Sequence, residues 1–303
     1  MSRKIAFIGL GAMGQPMAAN ILRKGTELVV FDTNPARMEP LRDLGATLAA
    51  SVAEAAEGAQ IVITMLPATP HVEQVILGEG GVADVIAPGG IVMDMSTIAP
   101  TGTDRIAAAC AARGLVFIDA PVGRLVIHAQ RGESLFMVGG ENDQAFEAVR
   151  PLLDKMGTTI HRCGPTGSGI RTKLVNNFMI LSIAQITAEG LTLAAKLGLD
   201  IAMLKEVNAG TSGTNGQFQF NFATKVLAGD TTPGFTIDLA HKDLTLALEA
   251  ANAVRIGLPA GAAAHAVLGQ ARAGDYAGKD FTALLDYAAD LAGVAPIRLE
   301  QGA

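Results

Sequence analysis

The segment that most restricts how this chain can fold is the glycine motif GLGAMG, which begins at Gly9 and also supplies Gly11 and Gly14. It directly follows the apolar run KIAFI and leads into a helical pattern. In such a turn the first glycine permits the tight bend, the second lets the backbone approach a pyrophosphate, and the third lets the helix pack on the strand. The motif therefore predicts a dinucleotide site, to which Ala12 and Met13 also contribute at the N-terminus of the helix.

A second cofactor signal is an acidic residue at the end of the next strand pattern. Asp32 follows the run ELVVF, eighteen residues after the glycine motif. A carboxylate there can accept hydrogen bonds from the adenosine ribose hydroxyls and repels a 2′-phosphate, so the sequence favours NAD over NADP. Arg37 lies near enough in the chain to contact such a phosphate. Asp32 could instead cap the helix that begins near Pro35, although Thr33 or Asn34 stands closer to that start.

Apolar runs alternate with helical patterns throughout the first half of the chain. Near-continuous apolar character is typical of parallel strands buried on both faces, and repeated β–α alternation implies right-handed crossovers. The predicted strands are residues 4–9, 27–32, 60–66, 90–96 and 115–121, followed by 134–140 and 158–164 on either side of a helix at about 142–154. These patterns predict an α/β Rossmann domain with a parallel-rich sheet.

The pattern changes at the glycine-rich segment GPTGSG, residues 164–169. Beyond it strand patterns are few and helical patterns dominate. The predicted helices are residues 167–198, about 200–209, about 217–228, 238–254, 260–274 and 280–292. Two domains are therefore expected: an NAD-binding Rossmann domain over residues 1–164 and an all-α C-terminal domain over residues 165–303.

Composition excludes several other classes of protein. Of the 303 residues, 50% are hydrophobic and 17% are charged, which is typical of a folded chain with a large core. The net charge is -6 and no basic tract occurs, so nucleic acid is not an expected partner. The apolar stretch at residues 174–199 includes two asparagines, a glutamine, a glutamate and a lysine. This is too polar for a membrane span and predicts a long, mostly buried helix.

Cysteine usage and the first residues both favour a cytoplasmic protein. Cys110 and Cys163 are far apart in the chain and are expected to be unpaired, inert thiols. The apolar run near the N-terminus is too short for a signal peptide and leads straight into the glycine motif. No cluster of histidines, cysteines and carboxylates indicates a metal site, so none is expected.

Two further strand ends are predicted to line the cofactor crevice. Met65, Leu66 and Pro67 end one strand pattern, and Ser96 and Thr97 end the next. Ligands bind at the carboxyl ends of parallel strands in sheets of this kind, so all five residues are predicted cofactor contacts. Ordinary turn chemistry is the alternative role for each.

The strongest candidate for a reacting group is Lys173, in the segment GSGIRTKLVNN. Asn177 stands four residues later and shares its face of a helix, and Asn176 is adjacent. The lysine is expected in the cleft between the domains, where burial and the nearby Arg171 would lower its pKa. The alternative is a solvated lysine at a helix start. Two asparagines in an apolar helix are costly unless they bind a ligand or interdomain backbone.

Four segments together resemble the β-hydroxyacid dehydrogenases: IAFIGLGAMGQPMAANIL, PVG, GSGIRTKLVNN and IDLAHKD. This family includes 3-hydroxyisobutyrate dehydrogenase, tartronate semialdehyde reductase and, more distantly, 6-phosphogluconate dehydrogenase. The resemblance extends from residue 4 to about residue 295. It implies a Rossmann domain followed by an all-α domain, and a homodimer or homotetramer built through the helical half.

The resemblance also implies roles for particular residues. The family's catalytic lysine falls on Lys173 and its helix asparagine on Asn177, with Asn176 beside it as a substrate contact. The lysine of its K-D motif falls on Lys242, near the nicotinamide and its ribose, and Phe235 falls near the nicotinamide pocket. By the same resemblance, the strand-end residues at positions 96 and 97 lie beside the cofactor, and Ser96 also contacts the substrate.

The chain departs from the family after Pro-Val. Most members have Ser-Gly there to hold the substrate carboxylate, whereas this chain has Gly123-Arg124. A guanidinium offers a planar fork of donors suited to an anion, so Arg124 is predicted to bind the anionic group together with backbone N–H groups of Val122 and Gly123. The alternative is a structural ion pair that stabilises the loop.

Within the family, PVGR and DLAHKDL are similar to segments of the 3-sulfolactaldehyde reductases. Those enzymes use NADH to reduce a three-carbon aldehyde bearing a sulfonate to 2,3-dihydroxypropane-1-sulfonate. Ile180 stands where that group has a serine that helps to hold the sulfonate. Substrates with a carboxylate, namely 3-hydroxyisobutyrate or tartronate semialdehyde, therefore remain the alternative.

The predicted function is an NAD-dependent oxidoreductase that interconverts a small anionic aldehyde and its β-hydroxyacid-type alcohol. In the expected reaction, hydride passes from C4 of the nicotinamide to the carbonyl carbon. Lys173 gives its proton to the forming alkoxide, and Asn177 orients the oxygen and the lysine. An alternative from another class is a cofactor-binding protein without catalysis, in which Lys173 is structural.

Overall fold

The structure is a computed structural model and describes residues 4–299. The chain divides into two compact units, Met1–Lys173 and Leu174–Ala303. The division falls inside a long helix, Ser168–Lys196, beyond the predicted domain boundary after residue 164. The first turn of this helix belongs to the first unit because the backbone N–H groups of residues 167 and 170 bind a carboxylate there.

The first unit is built on one sheet, which contains nine strands within residues 4–299. The strands are β1 Ile5–Ile8, β2 Val29–Phe31, β3 Thr47–Leu48, β4 Ile61–Thr64, β5 Ile91–Asp94, β6 Val116–Asp119, β7 Val122–Gly123, β8 Ser134–Gly139 and β9 Gly157–Gly164. The helices are α1 Gly14–Arg23, α2 Glu39–Arg42, α3 Val52–Ala56, α4 Thr69–Leu77, α5 Val82–Val85, α6 Pro100–Ala112, α7 Val126–Arg131 and α8 Asp143–Met156, with a 3₁₀ turn at Pro35–Arg37.

The strand order is β3-β2-β1-β4-β5-β6-β8-β7, and β9 pairs with β8. All pairs from β3 to β6 are parallel, whereas β8 is antiparallel to both β6 and β7 and parallel to β9. The central register places Ile5 beside Ile61 and Ile61 beside Ile91. This arrangement confirms the predicted Rossmann fold with a parallel-rich sheet.

Burial on both faces explains why the central strands are almost entirely apolar. Alternate residues of a strand point to opposite faces. Phe7, Ile63 and Met93 enter the core on one face, while Val62 and Val92 enter the core on the other. Helices cover both faces, so a polar residue within these strands would need a buried partner.

The second unit is helical. It contains the larger part of α9 Ser168–Lys196, then α10 Ile201–Ala209, α11 Ile237–Ala253, α12 Pro259–Arg272 and α13 Leu284–Ala292. The prediction of one helix over residues 217–228 is wrong. A π-helix at Gln217–Phe222 is followed by a separate 3₁₀ turn at Val226–Ala228. The helix breaks at Lys225, whose backbone leaves the helical region (φ -119°, ψ -102°) and whose ammonium binds Asp230.

By length and composition, one helix among the described residues, α9, could cross a membrane. The most apolar window of this helix is 44% buried. Its buried residues include Asn177, Ser182, Gln185 and Thr187, which is unusual for a lipid-facing segment. The long helix predicted after residue 167 is therefore present, but it is not mostly buried, because large apolar side chains such as Val175 and Ile186 are exposed on one of its faces.

Candidate active site

The glycine motif forms the turn between β1 and α1, and its three glycines differ in the space that a side chain would have. Gly9 has a φ of +95°, and a Cβ there would lie 2.3 Å from the carbonyl oxygen of Met65. A Cβ on Gly14 would lie 2.0 Å from the carbonyl oxygen of Gly9. A Cβ on Gly11 would meet nothing within 4 Å, so the backbone there faces open space. The turn is thus closely packed on the protein side and open where a pyrophosphate is expected to approach.

Asp32 is buried at the end of β2 and connects to the glycine turn. Its carboxylate accepts the N–H of Leu10 at 2.7 Å and the N–H of Asn34 at 2.8 Å, and Nη1 of Arg37 lies 3.6 Å away. The cap of the following 3₁₀ turn is Asn34, whose Oδ1 accepts the N–H of Ala36. The capping role considered for Asp32 therefore belongs to Asn34. Asp32 stands at the edge where an adenosine ribose is expected.

Together these features fit a dinucleotide. The open backbone at Gly11 and the exposed or half-exposed Ala12 and Met13 stand at the start of α1, where N–H groups favour an anion. Asp32 adds a fixed carboxylate at the neighbouring strand end. These residues suit a pyrophosphate and an adenosine ribose without a 2′-phosphate.

A buried carboxylate ties the ends of β4 and β5 together. Oδ1 of Asp94 accepts the hydroxyl of Thr64 at 2.7 Å and the hydroxyl of Ser96 at 2.6 Å. Oγ of Ser96 in turn accepts the N–H of Leu66 at 2.8 Å. Burial raises the pKa of Asp94, and its hydrogen bonds oppose that shift. Ser96 therefore holds the neighbouring loop in place, and direct contact of its hydroxyl with substrate stays a prediction.

The other predicted strand-end contacts lie on the accessible side of these loops. Met65, Leu66 and Thr97 are half-buried, and Pro67 is exposed. They stand where the parallel strands β4 and β5 end, the edge of the sheet that carries the glycine turn. Their contact with a cofactor stays a prediction.

The Pro-Val-Gly-Arg segment forms a short edge strand. Val122 and Gly123 are buried and pair antiparallel with β8, opposite Phe136 and Leu135. A Cβ on Gly123 would lie 3.2 Å from Cδ2 of Leu135, so the packing favours glycine over a larger residue. The next residue, Arg124, is exposed and has a φ of +73°, a left-handed conformation uncommon for a residue with a side chain.

Arg124 is anchored to its own unit. Its Nη1 donates to the carbonyl oxygen of Glu133 and, at 2.9 Å, to the hydroxyl of Thr158. Its Nη2 donates to the hydroxyl of Thr159 at 3.2 Å. Three hydrogen bonds hold the loop to the chain around β8 and β9. Arg124 therefore has a structural role, as the alternative interpretation proposed, but through these hydrogen bonds and not through an ion pair. A contact with substrate stays a prediction.

A buried carboxylate, Asp119 at the end of β6, binds the start of α9. Its Oδ1 accepts the N–H of Gly167 at 2.6 Å, and its Oδ2 accepts the N–H of Ile170 at 2.7 Å. Burial raises the pKa of Asp119 to about 6, while these hydrogen bonds oppose that shift and the nearby Asp94 adds to it. The sequence contained one signal for this role, a single acidic residue at the end of an apolar strand.

This raised pKa predicts how stability depends on pH. The folded chain holds a proton on Asp119 up to about pH 6, whereas the ordinary carboxyl value is 3.8. The ionised group therefore costs stability above about pH 6, and the cost disappears as the pH falls toward 3.8. Relative to an Asp119→Asn variant, the free energy of unfolding of the wild type should rise by up to about 3 kcal/mol between pH 7 and pH 4. Urea unfolding at several pH values measures this; a difference that is constant with pH would contradict it.

Lys173 lies in the first turns of α9 and is half-buried. Arg171 stands two residues earlier, and its guanidinium forms a bidentate pair with Asp104 of α6 at 2.7 and 3.0 Å. Asp104 thus neutralises much of the charge through which Arg171 was expected to act on Lys173. The lowered pKa of Lys173 stays a prediction.

In the second unit, Asn177 is 4% exposed and its Nδ2 donates to Oδ2 of Asp243 at 2.7 Å. The other carboxylate oxygen of Asp243 lies 3.0 Å from Nζ of Lys242. The amide of Asn177 is therefore oriented by a buried carboxylate, and Lys242 is held by the same group. Asn176 is exposed, one position away on the helix surface.

Phe235 lies in a loop that a second buried carboxylate organises. Oδ2 of Asp280 accepts the N–H groups of Gly234 and Phe235 at 3.0 and 3.2 Å. The ring of Phe235 contacts the edge of Phe281, with ring centroids 5.8 Å apart. The sequence-based predictions did not include Asp280, because Gly234 and Phe235, which it binds in this loop, are 46 and 45 positions away in the chain.

Two family models match successive parts of the chain. The model of the NAD-binding domain of 6-phosphogluconate dehydrogenase matches residues 4–164. The model of the NAD-binding region of NADP-dependent 3-hydroxyisobutyrate dehydrogenase matches residues 167–288. Together they cover most of the chain.

Curated relatives and solved structures agree with these models. The chain is 43% identical over 282 residues to a 3-sulfolactaldehyde reductase of Escherichia coli strain K12, covering 93% of this chain and 94% of the relative. It is 41% identical to a 3-hydroxyisobutyrate dehydrogenase of Pseudomonas aeruginosa, with 86% and 89% covered. A structure of Mycobacterium tuberculosis 3-hydroxyisobutyrate dehydrogenase with L-serine superposes with a TM-score of 0.87 at 34% identity, covering 95% and 99%.

Proposed function

Because this chain belongs to the β-hydroxyacid dehydrogenase family, and so to the NAD(P)-dependent oxidoreductases that act on CH–OH groups, we propose that it reduces a small anionic aldehyde with NADH, and that 3-sulfolactaldehyde is its substrate. The observation that carries the proposed chemistry is on α9. Lys173 stands one turn before Asn177, whose amide a buried carboxylate orients.

The cofactor in this proposal is NAD rather than NADP. The turn from Gly9 to Gly14 and the start of α1 would hold the pyrophosphate, and Asp32 would hold the adenosine ribose. When bound, NADH supplies the hydride for the carbonyl carbon. Asp32 supports the preference because a fixed carboxylate repels a 2′-phosphate, although Arg37 lies 3.6 Å from it.

Lys173 and Asn177 have complementary parts in the proposed reaction. The ammonium of Lys173 gives a proton to the oxygen that becomes the alcohol. Nδ2 of Asn177 is held by Asp243, so the amide keeps one orientation and presents its Oδ1 as an acceptor for an ammonium or a hydroxyl. An oriented acceptor reduces the freedom of the proton donor and so lowers the barrier.

Arg124 is the proposed contact for the sulfonate, in addition to its structural hydrogen bonds. A guanidinium has five N–H groups, and contacts within residues 4–299 use three of them. One N–H on Nε and one on Nη2 remain for an anion, which is the number that a bidentate contact requires. The exposure of Arg124 and its fixed geometry suit this dual role.

A panel of three aldehydes tests the proposal. Steady-state kcat/KM with NADH is measured for 3-sulfolactaldehyde, methylmalonate semialdehyde and tartronate semialdehyde, and 3-sulfolactaldehyde is expected to be the best substrate by at least about tenfold. A higher value for either carboxylate aldehyde would transfer the assignment to that substrate. NADH binding without turnover of any of the three would instead indicate a cofactor-binding protein without catalysis.

A second candidate function is that of a 3-hydroxyisobutyrate dehydrogenase or a tartronate semialdehyde reductase. One observation favours it: the guanidinium of Arg124 already binds Glu133, Thr158 and Thr159. In addition, apolar Ile180 stands where the 3-sulfolactaldehyde reductases have a serine that helps to hold the sulfonate. A carboxylate would then be held by backbone N–H groups of residues 122–124.

Replacing Arg124 by lysine distinguishes these roles. R124K keeps the charge but loses the fork of donors, so kcat/KM for 3-sulfolactaldehyde should fall about tenfold, while the value for neutral glyceraldehyde stays within about twofold. R131K is a matched control at the end of α7 and should change neither value. Equal losses for the charged and neutral aldehydes, with a lower Tm, would leave Arg124 with a structural role alone.

We also infer a cytoplasmic homodimer or homotetramer. Support comes from an apolar stripe on α9 whose members are exposed and recur every four or seven residues: Val175, Met179, Ile186 and Leu193. Large apolar side chains aligned on one helix face are typical of helix–helix contacts between subunits. The net charge of -6 and the absence of a basic tract favour neither nucleic acid nor a membrane surface as a partner.

A further inference from the structure

The start of α9 lacks a cap of its own. The residue before the helix is Gly167, which has a φ of +86° and no side chain that could accept a hydrogen bond. The first N–H groups of any helix need acceptors from elsewhere. Here the carbonyl oxygen of Pro165 accepts the N–H of Ser168, and a residue distant in the chain, Asp119, accepts the N–H of Ile170 and that of Gly167 just before the helix.

The carboxylate of Asp119 is buried and closely packed. Asp119 is 2% exposed. A Cβ on Gly169 would lie 2.2 Å from the carbonyl oxygen of Met137 and 2.8 Å from Oδ2 of Asp119. A Cβ on Gly139 would lie 2.3 Å from Oδ1 of Asp119. The helix start, the end of β6 and the end of β8 are therefore in direct contact, and a change in one of them must move the others.

We propose that Asp119 is a positioning residue for Lys173. It fixes the first turn of α9 to the end of β6, three residues before the strand that leads into Arg124. Lys173 follows Ile170 by three residues, so it moves with that turn. One carboxylate thus sets the distance between the Pro-Val-Gly-Arg segment and the proton donor. The inference rests on the proposed function, in which Lys173 supplies the proton.

The start of α9 also makes an exposed ion pair, with which the contact of Asp119 can be compared. Arg171 pairs with Asp104, and both side chains are 49% exposed. Exposed ion pairs contribute little, whereas a buried carboxylate with two N–H partners holds its position. Asp104→Asn is therefore the matched control for Asp119→Asn, because each variant replaces one carboxylate oxygen that accepts a hydrogen bond from the start of α9.

The experiment measures kcat, the Kd of NADH and the Tm for D119N, D104N, Lys173→Met and the double variant D119N/K173M, with the best substrate of the aldehyde panel. D119N should lower kcat about 10- to 100-fold, because misplacement by about 1 Å has effects of that size. The Kd of NADH should stay within about twofold, and D104N should keep kcat within about twofold. The double variant should match K173M, since Asp119 acts through the lysine.

The outcomes distinguish a failure of the proposed function from a failure of the positioning role of Asp119. Wild-type kcat in K173M would overturn the proposed function. A large loss in K173M with wild-type kcat in D119N would overturn the positioning role alone, and so would equal, additive losses in the double variant. If D119N does not fold, D119E replaces it: it keeps both oxygens but lengthens the side chain by one methylene, and it should lower kcat with unchanged Kd for NADH. Wild-type kcat in D119E would then overturn the inference.

Discussion

Replacing Lys173 by methionine is expected to lower kcat about 10³-fold while the Kd of NADH stays within about twofold. Methionine keeps the length and apolar character of the stem but has no proton to give, and general acid catalysis contributes about 10² to 10⁴. The glycine turn and Asp32, which are the proposed cofactor contacts, are distant in sequence from position 173. Fluorescence titration with NADH and steady-state reduction of the aldehyde measure the two quantities separately.

Lys196 provides a matched control for this variant. It is an exposed lysine in the last turn of the same helix, so Lys196→Met removes an ammonium from α9 without touching its start. We expect wild-type kcat for this control. Small and equal losses of kcat and NADH affinity in Lys173→Met would contradict a proton-transfer role and would favour a structural lysine.

The parts of the site that the sequence predicted are those encoded locally. A glycine that needs a left-handed φ, such as Gly9, and a carboxylate at a strand end, such as Asp32, are visible within a few residues. The long helix carrying Lys173 and Asn177 was also predictable, because its apolar residues continue over many turns. Apolar strands between turn residues likewise indicated the parallel sheet before any pairing was known.

What the sequence did not predict depends on contacts between distant segments. The two-residue strands β3 and β7 exist because their neighbours pair with them, and no periodic pattern can form in two residues. The binding of Asp119 to the start of α9 joins segments 48 and 51 positions apart. The anchoring of Arg124 on Thr158 and Thr159 spans 34 and 35 positions. Side-chain partners of this kind follow from the fold and not from local spacing.

Two glycines of the cofactor turn should respond differently to the same substitution. Gly14→Ala places a Cβ 2.0 Å from the carbonyl oxygen of Gly9, so helix and strand must separate. Overpacking of this kind costs about 3 kcal/mol, which would weaken NADH binding about 100-fold if the whole cost fell on binding. We expect the cost to be shared, with a lower Tm and a loss of NADH affinity of up to about 100-fold.

Gly11→Ala, by contrast, should weaken NADH binding while leaving the Tm almost unchanged. Its Cβ would meet nothing within 4 Å of the protein, so the Tm should change by no more than about 2 °C. The same Cβ would enter the space proposed for the pyrophosphate and should weaken NADH binding at least about tenfold. Thermal unfolding and NADH titration of both variants provide the comparison. Wild-type NADH affinity in Gly11→Ala would show that the pyrophosphate does not approach the backbone at this position.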